Sequence, residues 1–193
     1  MKHSILSIAL FVLGASGCAT VAQNPPPPST TTATAGPSHL SLLLGERWLG
    51  HDDWDPVDDQ FLIGVGFDTP ITAIPAEFEA NIFRSKDESG DVEGITREIS
   101  AGLRKTFALS EPKIHPYVGA GLAMIRGEVD APGADDHDTS LALYLHGGAG
   151  YDISPEWQVG LDLRFLFASD IELNGHNGDA DYTQLAFFVS YGF

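Results

Sequence analysis

The sequence predicts an all-β fold, an eight-stranded antiparallel up-and-down transmembrane β-barrel. Three observations carry this. Apolar residues recur at every second position rather than every third or fourth. The alternating segments run to about ten residues, the length a tilted strand needs to cross a bilayer. Acidic residues collect in every other connection between the segments.

In chain order the alternation marks segments at 40–47, 60–68, 76–85, 94–107, 115–126, 140–152, 157–167 and 183–193. The seventh is the clearest. Trp157, Val159, Leu161, Leu163, Phe165 and Phe167 share one face, and Gln158, Gly160, Asp162, Arg164 and Leu166 share the other. The eighth sets Thr183, Leu185, Phe187, Val189, Tyr191 and Phe193 against Gln184, Ala186, Phe188, Ser190 and Gly192. The sixth sets Leu141, Leu143, Leu145, Ala149 and Tyr151 against Ser140, Ala142, Tyr144, His146, Gly148 and Gly150. The other five are weaker versions of the same pattern.

The connections after the odd-numbered segments are long and acidic: GHDDWDPVDD (50–59), SKDESGDVE (85–93), GEVDAPGADDHDT (127–139) and SDIELNGHNGDADY (169–182). They hold 18 of the 27 Asp and Glu residues. Those after the even-numbered segments (TPITAIP, ALSEPKI and ISPE) are shorter and carry little charge. Long loops outside and tight turns in the periplasm produce this asymmetry. A solvated, mutually repulsive loop surface is expected. The Asp-rich stretches DDWDPVDD and DADY are oxygen-rich enough to attract Ca²⁺ or Mg²⁺, but none has EF-hand spacing.

Ahead of the strands, residues 1–17 read as a signal peptide. Lys2 supplies the positive charge and residues 5–13 an apolar stretch too short to span a membrane. Ala15, Ser16 and Gly17 then lead to Cys18, the single cysteine of the chain. Small residues before a cysteine resemble a bacterial lipobox, although Ala15 stands where a lipobox usually has Leu. The resemblance implies a lipidated Cys18 as the mature N-terminus, and Ala19 after it implies the outer membrane. Cleavage after Ala19 or Ala22 is the alternative and discards Cys18. Residues 18–38 form a Pro- and Thr-rich linker that cannot build a core. The barrel occupies 39–193.

Composition narrows the function. A formal net charge of −17 speaks against nucleic acid, whose phosphates need Lys and Arg. One cysteine excludes an internal disulfide and a cysteine-built metal site. No phosphate loop, metal-ligand spacing or redox motif appears, so no cofactor is expected.

With the apolar set facing lipid, Glu77, Glu79, Asn81, Glu98, Arg104, Asp162 and Arg164 point into the lumen. An eight-stranded barrel is only wide enough to be filled by side chains. Charges there must pair, because burial costs several kcal/mol per ion. The expectation is a packed polar plug of Glu77, Glu79, Glu98, Arg104, Asp162 and Arg164. An ion path or paired-carboxylate chemistry is the alternative. Gly64, Gly66, Gly102, Gly119, Gly121 and Gly160 share this face and make room for the longer side chains. On the outer face, Phe107, Tyr151, Trp157, Tyr191 and Phe193 suit an aromatic girdle at the periplasmic rim. Arg84, Arg97 and Lys105 are expected near strand ends, where long side chains snorkel.

The motifs PYVGAG (116–121), GGAGYDISPEW (147–157) and the terminal AFFVSYGF resemble the small outer-membrane β-barrels, the group of the OmpA transmembrane domain and OmpX. The resemblance covers about residues 39–193. It implies a bacterial outer-membrane location among lipid and lipopolysaccharide. It also implies that Leu185, Phe187, Val189, Tyr191 and Phe193 form the terminal signal read by the outer-membrane assembly machinery. Most small barrels have no lipid anchor, so the leader departs from the group.

Lipocalins are also eight-stranded, and some are outer-membrane lipoproteins. A lipocalin would bury the apolar face, show water a Gly-rich one and carry a C-terminal helix. GERW (45–48) is a poor match to the Gly-X-Trp signature of that family. Lipid A-modifying barrels use a His, a Ser and an acid, and His137 and Ser140 are spaced three apart rather than two. The leading expectation is a non-catalytic barrel with a structural or surface-interaction role through its acidic loops. An adhesion or ligand-binding barrel is the nearest rival, and a lipid A-modifying enzyme is third.

Overall fold

The computed structural model describes residues 36–50, 54–111, 113–131, 134–173 and 176–193. The leader, Cys18 and most of the linker lie outside these residues, as do residues 51–53 of the first acidic connection. The strands are β1 (His39–Leu49), β2 (Asp59–Ile71), β3 (Ala76–Ser89), β4 (Val92–Thr106), β5 (Ile114–Ala131), β6 (Ala134–Asp152), β7 (Trp157–Phe167), β8 (Ile171–Leu173), β9 (His176–Gly178) and β10 (Tyr182–Gly192).

Eight of them close a barrel in the order β1-β10-β7-β6-β5-β4-β3-β2, every neighbour antiparallel. Closure sets His39 opposite Gly192 and Leu49 opposite Tyr182. Just outside it, Ser38 N donates to Phe193 O at 3.1 Å and Phe193 N donates to Ser38 O at 2.9 Å. The last residue and the start of the first strand therefore leave the barrel side by side. With no unpaired edge, every backbone group of the wall can be satisfied in hydrocarbon.

Strand parity decides what each face meets. Leu40, Leu42 and Leu44 of β1 point outward and are exposed, while Leu43, Arg47 and Leu49 point inward and are buried. The same holds around the wall: Ile82, Leu141, Leu161 and Phe187 are all exposed. Water does not tolerate a continuous apolar exterior of this extent, whereas a bilayer requires one. The lumen meanwhile holds the charges. This is the reverse of a lipocalin, which lines its interior with apolar side chains.

The structure corrects four expectations. The acidic stretch 85–93 is mostly strand: β3 runs to Ser89 and β4 starts at Val92, around a tight turn where Gly90 has φ 62°. The stretch 127–139 is also mostly strand, as β5 and β6 run to 18 and 19 residues. Above the membrane an outward side chain meets water, so pairing continues after the apolar alternation stops. Arg84 and Arg97 consequently sit well inside their strands rather than near the ends. The fourth acidic connection contains a small hairpin, β8 paired with β9.

Candidate functional site

The lumen is built in tiers from inward positions of all eight barrel strands. At the end near the termini, Asp68 of β2 meets His39 Nδ1 at 2.9 Å and Arg104 Nη2 at 2.8 Å. Arg104 Nε donates to Glu77 at 2.7 Å, and the guanidinium lies 4.9 Å from the centre of the Tyr117 ring. Glu77 and Arg104 are half-buried there.

In the middle tier His146 lies between two buried carboxylates. Its Nδ1 is 2.7 Å from Asp162 Oδ2 and its Nε2 is 2.9 Å from Glu79 Oε1. Tyr117 donates its hydroxyl to Asp162 at 2.8 Å, and Tyr144 donates to Glu79 at 2.7 Å. The ring fits because residue 119 on the next strand is glycine. A Cβ there would stand 2.2 Å from His146 Nε2. Asn81 faces the same space, with its Nδ2 buried and unpartnered. A cavity of about 30 Å³ remains among Glu79, Arg104, His146, Asp162 and Arg164, room for one or two waters.

The third tier closes the lumen. Glu98 of β4 is fully buried between two arginines, 2.9 Å from Arg47 Nη2 and 3.0 Å from Arg164 Nη2. Tyr182 donates to Glu98 at 2.6 Å. Arg47 further donates to Thr96 and Gln184, and Arg164 to Ser100. Each guanidinium also stacks on an aromatic ring at 3.8 Å, Arg47 on Tyr182 and Arg164 on Tyr144. Such stacking suits arginine, whose weakly hydrated planar group loses least on burial.

Above the ion pairs lies an apolar cap. Trp54, from the first acidic connection, is 1% exposed and packs with Leu49, Ile171, Ala180 and Tyr182. Its Nε1 donates to Asp179 O at 2.9 Å, fastening the first loop to the fourth. Val57 is buried beside it, over Gly94. The acidic loops are therefore partly folded into the barrel mouth, which corrects the expectation of a wholly solvated loop surface. Short Trp and Val insertions among aspartates gave no periodic signal.

The structure thus gathers the expected lumen residues into two groups, Glu77 with Arg104, and Glu98 with Arg164. Glu79 and Asp162 meet through His146. Arg47, Asp68, Tyr117 and Tyr182 were missed, and Tyr144 was placed on the lumen face without its carboxylate partner. In the first strand, three consecutive leucines at 42–44 hid the parity that puts Arg47 inside. The terminal signal residues all lie outward, Leu185, Phe187, Tyr191 and Phe193 exposed and Val189 half-buried. In the girdle, Trp157 and Tyr191 rings lie 5.1 Å apart. His137 and Ser140 point to opposite faces, and Ser140 Oγ accepts from Asp170 N at 2.8 Å. Among the described residues, no three His, Cys, Asp or Glu side chains are gathered to hold a metal ion.

The model of the outer membrane protein beta-barrel domain family matches residues 7–193. No curated protein matches the chain. Among solved structures, Neisserial surface protein A aligns with a TM-score of 0.68 at 19% identity, covering 83% of this chain and 99% of that one. Ail, the attachment invasion locus protein of Yersinia pestis, aligns at 0.59 and 12% identity, covering 83% and 100%. The outer membrane protein OprG from Pseudomonas aeruginosa aligns at 0.58 and 11% identity, covering 84% and 98%. At these identities the likeness is one of fold.

Proposed function

The chain belongs to the outer membrane protein beta-barrel domain family, and from that premise we propose that it is a non-conducting, non-catalytic barrel that displays an acidic outer rim for structural or surface contact. It lies in the bacterial outer membrane, as its family does. One observation carries the reading: the lumen is shut by Arg47, Glu98 and Arg164 and capped by Trp54, so what faces outside is the rim alone.

The rim is acidic and locally rigid. The Trp54–Asp179 hydrogen bond ties two acidic loops together, and the β3–β4 and β5–β6 hairpins carry further acids on paired backbone. A fixed field of negative charge favours cationic partners, or divalent cations that bridge to other anionic surfaces. Cys18 supplies a lipid anchor, and the terminal strand is read by the assembly machinery.

A deletion strain complemented with wild type or with a rim variant (Asp55, Asp58, Asp59 and Asp181 changed to Asn) tests this. Wild type should restore both detergent resistance and adhesion to immobilised matrix protein. The rim variant should restore only resistance. A rim variant that restores both leaves the acidic loops without the proposed role. Lipid A of altered acylation in the deletion strain would favour an enzyme instead.

A further inference from the structure

We propose that the outward wall of β3, β4 and β5 binds the phosphate groups of lipopolysaccharide lipid through Arg84, Arg97 and Arg126. The inference rests on the membrane-spanning reading and deepens it, by giving one patch of the wall a specific lipid.

The three arginines are direct cross-strand neighbours. Arg84 stands opposite Arg97, and Arg97 opposite Arg126. Adjacent strands lie about 4.8 Å apart, so the side chains form a ladder on one surface. Like charges set directly opposite destabilise a sheet. Among the described residues, Glu128 is the carboxylate that offsets them, 2.8 Å from Arg97 Nη1 and 2.8 Å from Arg126 Nε. Arg84 has no carboxylate partner among the described residues. One negative charge against three positive ones leaves the ladder short of counter-charge.

The distribution of cations sharpens this. The sequence has ten Lys and Arg. Lys2 is in the leader, Arg47, Arg104 and Arg164 line the lumen, and Lys105 and Lys113 lie near the termini end. The other four, Arg84, Lys86, Arg97 and Arg126, share this one wall. Lys86 is already engaged by Glu88 and, at 3.0 Å, by Glu93. A strongly acidic chain thus places its available outward cations on three adjacent strands.

Height on the wall decides the class of ligand. Next to the ladder, toward the termini, Ile82, Ile99, Leu122 and Met124 are exposed apolar surface. On β4, Arg97 is separated from Lys105 by about 26 Å of strand at ~3.3 Å per residue, which at a tilt of ~40° is about 20 Å of height, most of the ~25 Å lipid-facing band of such barrels. The arginines therefore mark the outer border of the hydrocarbon. A ligand that uses both surfaces carries phosphate above acyl chains. Arginine's planar fork is matched to phosphate oxygens, and its charge-assisted bonds are the strong kind.

The test uses purified full-length protein in detergent, incubated with lipid A bearing its phosphates or with the dephosphorylated lipid. Retained lipid is counted by native mass spectrometry. Wild type should retain the phosphorylated form about tenfold better, the scale expected from several partly exposed ion pairs. The Arg84→Gln/Arg97→Gln/Arg126→Gln variant should lose that preference while still migrating as a folded barrel on unheated gels. Glu128→Gln frees two guanidinium groups and should raise retention. Inorganic phosphate at millimolar concentration should fail to compete, since it meets only the ladder. Equal retention of both lipids by wild type, equal retention by wild type and the triple variant, or full competition by phosphate would overturn the proposal. A wild-type chain that never folds in detergent would instead sink the membrane reading beneath it.

Discussion

Arg47 and Glu98 meet at 2.9 Å where neither side chain has any exposed surface. The contact joins β1 to β4 across the lumen, and Arg164 on β7 completes it from a third direction. Three strands far apart in the chain are thus bound by one carboxylate. Burying these charges is costly unless each is paired and hydrogen-bonded. Thr96, Ser100, Gln184 and Tyr182 supply further bonds, while Arg164 Nε and Gln184 Nε2 are left without a hydrogen-bond partner.

Removing that carboxylate strands two cations. Glu98→Gln should lower the unfolding free energy of the barrel by about 3–5 kcal/mol, the scale for breaking a buried pair. Thermal or urea unfolding in detergent micelles measures it. A loss no larger than that of an exposed pair such as Arg97–Glu128 contradicts the buried network.

The cap makes a separate prediction. Trp54→Ala removes the ring that packs on Ile171 and frees Asp179 O from its donor. The barrel wall does not depend on it, so the first and fourth loops should become protease-sensitive while the folded gel mobility persists. Loop cleavage at the wild-type rate means the cap is not held by Trp54.

The terminal strand carries the third. Tyr191 and Phe193 stack with centroids 6.5 Å apart on the outward face of the closing strand. Changing both to Ser should reduce outer-membrane insertion and expose the chain to periplasmic proteolysis. Normal levels in the outer-membrane fraction would count against the assembly role.

The fourth concerns Cys18. The mature protein should carry acyl chains on that residue, and Cys18→Ala should accumulate as unlipidated precursor. An intact mass that places the N-terminus after Ala19 or Ala22 rules the anchor out.

The wall was legible in the sequence because lipid and lumen impose opposite chemistry on successive residues. Leu161, Leu163 and Phe165 set against Asp162 and Arg164 leave no ambiguity of parity. The hairpins above the bilayer were not legible. There the outward face of 127–139 meets water, and polar residues such as His137 and Thr139 pair as strand without any apolar repeat. The lumen was read in part for a related reason. Acidic and basic side chains announce themselves on an apolar strand, but a buried tyrosine looks like any strand aromatic. Tyr117, Tyr144 and Tyr182 gain their place only when the barrel closes and sets each hydroxyl against a carboxylate.

The central claim is that this barrel is shut, and single-channel recording of the full-length protein in planar bilayers tests it most directly. Glu98 locked between Arg47 and Arg164 beneath the Trp54 cap predicts no steady unitary current at any salt concentration. Large, stable, reproducible current steps from the wild-type protein would contradict it.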